Sequence, residues 1–141
     1  MTISARIHYA TLALTELAIR HPGRTPVAVR EITGRHGIPG PFLVQILRTL
    51  RSAGWVESIR GSQGGYRLSV EPADLTLLEI ADVVGCPESN CFGEATETPA
   101  NQMLQETWEA ANEASRQVLS RTTLAEIAAR ATHGEQVMFY I

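Results

Sequence analysis

The sequence predicts a mainly α-helical chain carrying one small β-hairpin. Two observations predict it: apolar residues recur at helical spacing over most of the 141 residues, and a single glycine-rich stretch separates two short alternating runs. A hydrophobic fraction of 44% supplies enough apolar surface for one folded unit of this length.

The first helix is expected over residues 4 to 20, where Ile7, Ala10, Leu14, Leu17 and Ala18 share a face and His21-Pro22-Gly23 ends the run. After a loop containing Pro26, Val29 to His36 reads as a short helix closed by Gly37. The turn Ile38-Pro39-Gly40 leads into a third helix with Pro41 at its first position, where the missing N–H costs nothing. Phe42, Leu43, Ile46, Leu47 and Leu50 of this helix face inward, leaving Gln45, Arg48, Thr49 and Ser52 outside, and Gly54 stops it. Trp55 to Ile59 and Tyr66 to Ser69 then alternate as strands around the turn Gly61-Ser62-Gln63-Gly64-Gly65.

Two short helices joined by a glycine-bearing turn, the second presenting polar and arginine side chains, have the form of a helix-turn-helix, and a hairpin directly after it is a wing. Charge agrees with this reading. Residues 1 to 70 hold nine arginines against Glu16, Glu31 and Glu57, a balance of +6, whereas residues 71 to 141 carry a balance of −9. The net charge of −3 thus hides a basic half suited to a polyanion, because phosphate contacts supply most of the affinity for nucleic acid. Candidate DNA-binding residues are Gln45, Arg48, Thr49 and Arg51 on the helix, with Arg60, Ser62, Gln63, Gly64 and Arg67 on the wing. The wing glycines let the backbone approach phosphates, and Arg60 at the base suits the negative potential of a minor groove.

Beyond the wing, Thr76 with Glu79 and Thr123 with Glu126 have capping-box spacing. Thr98-Pro99 opens a long helix in which Leu104, Trp108, Ala111, Ser115 and Val118 recur at four- and three-residue steps, the seam of a helix packed along another helix. A second subunit is the expected partner, packing on its own domain the alternative. The final Val137-Met138-Phe139-Tyr140-Ile141 is apolar and β-prone, and is expected to be covered by protein. The chain therefore divides into a DNA-binding unit at 1–75, a linking helix and cysteine-bearing loop at 76–98, and a dimerisation helix with a C-terminal segment at 99–141.

The run Leu47-Arg48, Ala53-Gly54-Trp55-Val56, Ile59-Arg60-Gly61 and Gly64-Gly65-Tyr66-Arg67-Leu68 resembles the winged-helix family that includes the iron–sulfur assembly regulator IscR, the nitric-oxide sensor NsrR and the cysteine regulator CymR. Thr76 to Ile80 and Thr122 to Glu126 extend the resemblance along almost the whole chain. It implies a homodimeric DNA-binding transcription regulator whose long helix crosses its copy. It departs at Pro39-Gly40-Pro41, where many relatives have a serine-rich entry to the recognition helix.

Cys86 and Cys91 flank Pro87 to Asn90. By themselves two cysteines allow a reversible disulfide, zinc binding or inert thiols. Relatives that carry a cluster place ligands in this loop, commonly three cysteines, and some complete the site from the partner's DNA-binding domain. The resemblance implies His8 and His36 as such ligands, so that Cys86 and Cys91 of one subunit with His8 and His36 of the other make a Cys2His2 set for a 2Fe–2S cluster, zinc or no metal being the alternatives. His21 and His133 read as surface residues.

No phosphate-binding glycine motif or catalytic triad is visible, and the acidic surroundings of the cysteines disfavour a thiolate nucleophile, so an enzyme with a small-molecule substrate is not expected. A winged-helix adaptor without DNA binding is the remaining alternative. With no long apolar run and no basic-apolar leader, the chain reads as a cytoplasmic protein without a membrane partner.

Overall fold

A computed structural model describes residues 2–86 and 93–139, with side chains described to residue 134. Helix α1 (Ala5–Ile19) is capped by Ser4, whose hydroxyl accepts from the Ile7 N–H. It is the axis of the core. Ala10, Ala13, Leu14 and Leu17 are almost wholly buried, the alanines allowing neighbouring helices to come close.

Helices α2 (Val29–His36) and α3 (Gly40–Ser52) form the helix-turn-helix. Gly37 closes α2 in the left-handed region at φ 65°, donating its N–H to the Thr33 carbonyl, a conformation that costs glycine nothing. Pro39 is the N-cap of α3 and Gly40 its first residue, so Pro41 stands second rather than first. The second position still needs no N–H partner inside the helix, which is why proline fits there as well. Leu43, Ile46, Leu47 and Leu50 of α3 are fully buried against α1 and Ile32.

The wing is an antiparallel pair, β1 (Val56–Ile59) and β2 (Gly65–Leu68), in the register Val56 to Leu68 and Ile59 to Gly65. It does not hang free. Val27, just before α2, exchanges both backbone hydrogen bonds with Tyr66, at 2.8 and 2.9 Å, which pins the wing to the helix-turn-helix. A Cβ on Gly65 would stand 2.2 Å from the Val27 carbonyl oxygen, so this approach requires glycine.

A 3-10 turn (Pro72–Asp74) leads to α4 (Leu77–Val84), which begins with a complete capping box between Thr76 and Glu79. Helix α5 (Pro99–Ser120) is capped by Thr98, and its Arg116 forks onto Asp82 of α4 at 2.9 and 3.2 Å. Helix α6 (Leu124–Phe139) then returns along α1. Its start is stitched to the start of α4 by Leu77 N–H to Thr122 O and Leu124 N–H to Leu75 O. Leu124 and Ala128 consequently share one core with the winged part of the chain. Thr123 accepts from the Glu126 N–H, one half of the box read there.

The β-prone reading of the C-terminus is corrected: the backbone of residues 137–139 is helical and continues α6, while Tyr140 and Ile141 lie outside the described residues. A short apolar run does not distinguish strand from buried helix, and the helix already under way from Leu124 adds each further residue at little cost.

Candidate nucleic-acid interface and sensor site

The outer face of α3 carries Gln45, Arg48 and Arg51, all exposed. At the wing, Arg60, Ser62 and Gln63 are exposed and lie beyond the end of β1, with Gly64 half-buried. The Gly64 N–H closes the turn on the Gly61 carbonyl at 3.0 Å, and Gly61 sits at φ 121°. These residues form a surface of arginines and amides with one helix and one hairpin as its rigid supports, the arrangement that inserts a helix into a major groove and a wing beside it.

Two of the residues read as DNA-binding have partners inside the chain. Arg67 is paired with Glu57 directly across the strands, which neutralises it in the unbound protein. Thr49 is half-buried, and its Oγ1 accepts from Nη2 of Arg6 at 3.0 Å, so it is held toward α1 rather than left free. Arg6 was not among the functional residues that the sequence suggested, and no local pattern marks it.

The sensor candidates divide into two places. Cys86 follows the C-cap Gly85 of α4 with its thiol exposed, and Cys91 lies outside the described residues. The end of α4 is seated on α1, since a Cβ on Gly85 would come within 3.1 Å of Ile7 Cδ1. This brings Cys86 to the end of α1 that carries His8, whose side chain is exposed and lies 6.4 Å, centroid to centroid, from the ring of Tyr9.

His36 is elsewhere. Its Nε2 meets Oε1 of Glu16 at 2.9 Å, and Arg35 Nε forms an ion pair with the same oxygen at 3.0 Å. Glu16 is 3% exposed in the last turn of α1, so this carboxylate is buried and answered by two cation-capable side chains at the end of α2. Glu16 stands eight residues beyond His8, about 12 Å along the helix axis. Within one subunit, therefore, the two histidines do not converge, and among the described residues no three of His, Cys, Asp and Glu come together to hold a metal.

The chemistry of the donors still fits a cluster or zinc. Cys86 offers a thiol and His8 an imidazole at an exposed position, and the Glu16 contact leaves Nδ1 of His36 unused, a carboxylate on the far nitrogen being the usual support for a ligating imidazole. Four ligands require Cys91, a second subunit, or both.

Helix α5 presents the remaining feature. It is 22 residues long without one buried side chain, and its apolar residues stay open: Met103 67%, Leu104 51%, Trp108 52% and Val118 63% exposed. On its own subunit α5 meets α4, where Arg116 pairs with Asp82. Among the described residues no helix is long and apolar enough to cross a membrane.

Comparison with known proteins agrees with this architecture. Residues 3–130 match the Rrf2 family, described as an iron-dependent transcriptional regulator. The transcriptional regulator CymR of Bacillus subtilis is 37% identical over 143 aligned positions covering 100% of both chains, and IscR of Vibrio atlanticus is 31% identical over 90% of this chain and 75% of its own length. Among solved structures, CymR of B. subtilis, called there the global cysteine regulator, superposes with a TM-score of 0.78 at 34% identity, covering 92% of this chain and 98% of that one. IscR of T. potens gives 0.76 at 32% identity, covering 93% and 88%. These relatives are regulators and not enzymes. With its DNA-binding winged helix and a match along nearly its whole length, the chain belongs to the Rrf2 family of transcriptional regulators, of the CymR and IscR type.

Proposed function

We propose that this regulator works as a homodimer in the cytoplasm, reading a near-palindromic duplex with α3 in successive major grooves and each wing beside a minor groove, and that Cys86 and Cys91 make its DNA binding redox- or metal-responsive. The open apolar stripe of α5 supports the dimer, because four large side chains on one unburied helix need a partner surface. The observation that carries the sensing is the seat of Cys86: it directly follows the C-cap of a helix packed on α1, and α1 packs on the recognition helix.

In the cluster reading, Cys86 and Cys91 of one subunit with His8 and His36 of the partner subunit hold a 2Fe–2S cluster. The imidazoles would give it a higher potential than four thiolates do, suited to a redox switch. The chain's own part is to position these donors: α4 delivers Cys86, α1 delivers His8, and Glu16 orients His36. A cluster-free thiol switch or zinc site is the second reading, favoured by the full-length match to the cysteine regulator CymR.

Anaerobic purification followed by an absorption spectrum and iron, sulfide and zinc analysis separates these. The cluster reading expects coloured protein with about two irons and two sulfides per subunit, lost in Cys86→Ala and Cys91→Ala together with a change in DNA binding. Colour that survives His8→Ala and His36→Ala removes the cross-subunit ligation. Colourless, metal-free protein whose DNA binding is the same in both cysteine variants ends the sensing proposal, and binding without preference over bulk DNA ends the regulator's operator reading.

A further inference from the structure

One side chain touches both the sensing end and the reading face. Arg6, half-buried in the first turn of α1, donates from Nε to the Val84 carbonyl at 3.0 Å and from Nη2 to Thr49 Oγ1 at 3.0 Å. Val84 is the last residue of α4, two positions before Cys86; Thr49 lies on α3 between the exposed Arg48 and Leu50 of the core. The carbonyl is one of those a helix end leaves without an internal partner, and a guanidinium there also answers the negative end of the helix dipole. The planar fork of arginine holds both contacts at fixed angles, which a lysine ammonium does not.

We propose that Arg6 is a positioning residue that couples the state of Cys86 to the recognition helix. The proposal rests on the reading of the cysteines as a sensor. The end of α4 lies close on α1, where a Cβ at Gly85 would stand 3.1 Å from Ile7 Cδ1. A change at Cys86 that lifts or turns this end shifts the Val84 carbonyl against Arg6. The guanidinium then either follows, pulling on Thr49, or lets go of one partner. Thr49 in turn bonds the Gln45 carbonyl at 3.3 Å, so the turn of α3 carrying Gln45 and Arg48 is the part that responds. Rigid contacts of this kind act as a link only when both ends bias one element, which is what the test measures.

The experiment compares DNA affinity in two states of the full-length protein: as prepared anaerobically, and after N-ethylmaleimide has blocked both thiols. The quantity read is the ratio of the two dissociation constants on one duplex selected from genomic fragments. Wild type is expected to change at least about fivefold. Thr49→Val, which keeps shape and leaves the Val84 contact in place, and Arg6→Met are expected to bring the ratio to within about twofold of unity, and Arg6→Lys to fall between. Any direct loss of affinity in these variants cancels in the ratio, and Thr49→Val keeps the test valid if Arg6→Met folds poorly. A full response in both Thr49→Val and Arg6→Lys overturns the coupling while leaving the sensor in place. A wild type whose affinity is unchanged although both thiols have been alkylated overturns both.

Discussion

Trp108→Ala tests the proposed dimer most directly, because α5 has no buried side chain and the substitution leaves the subunit's own core untouched. A tryptophan presents up to roughly 250 Å², and Trp108 is 52% exposed in the isolated subunit. About 130 Å² is therefore available to a partner, or about 3 kcal/mol if all of it is covered. Alanine keeps a part of that cover and a helical seam is never wholly dry, so about 2 kcal/mol per subunit is the reasonable loss. Two-fold symmetry counts it twice, giving about 4 kcal/mol and about three decades in the dimer dissociation constant. Sedimentation equilibrium over a concentration series reads this, with Glu106→Ala, exposed on the same helix, as the control. DNA affinity should fall in parallel, since a monomer engages one half-site. A Trp108→Ala dissociation constant within a few-fold of wild type would show that the stripe is covered by something other than a second copy.

Arg60→Ala should weaken duplex binding by roughly 1–3 kcal/mol and lower its salt slope by about one, whereas Arg116→Ala, engaged with Asp82 in the acidic half, should leave both unchanged in salt-titrated binding. Gly65→Ala should cost at least about 2 kcal/mol in thermal unfolding, because the new methyl meets backbone rather than a movable side chain. Gly34→Ala, inside α2 with open space around it, should instead stabilise by about 0.5–1 kcal/mol. Glu16→Ala should cost about 2–3 kcal/mol by releasing His36 and Arg35 from a buried carboxylate, discounted because Arg35 is 43% exposed, and Glu16→Gln about half of that; chemical denaturation measures both.

The helix-turn-helix and wing were legible because their signals are local. Gly37 in the left-handed region, Gly54 after α3, the capping box of Thr76 and Glu79, and the inward set Leu43, Ile46, Leu47 and Leu50 each depend on residues within a turn or two. The same periodicity misjudged what lay outside its reach. It placed Thr49 with the outward polar residues, since spacing along α3 records which side a residue faces but not that Arg6, 43 positions earlier, waits there. Likewise nothing near His36 in the sequence points to Glu16, 20 positions away and buried in α1. An apolar tail read as β-prone turned out helical because the choice was made by the helix preceding it.

By itself, then, the sequence determined most of the elements, several of their caps, the two arginine-bearing faces of reader and wing, and the apolar stripe of α5, all properties of hydrophobic period, turn chemistry and charge over short distances. Only the tertiary structure decided that α6 returns to share the core of α1, that Cys86 comes to the His8 end of that helix while His36 goes to Glu16, and that one guanidinium bridges α4 and α3. These are meetings between residues far apart in the chain. Packing around a common core sets them, and a pattern read along the chain carries no distance between its separate parts.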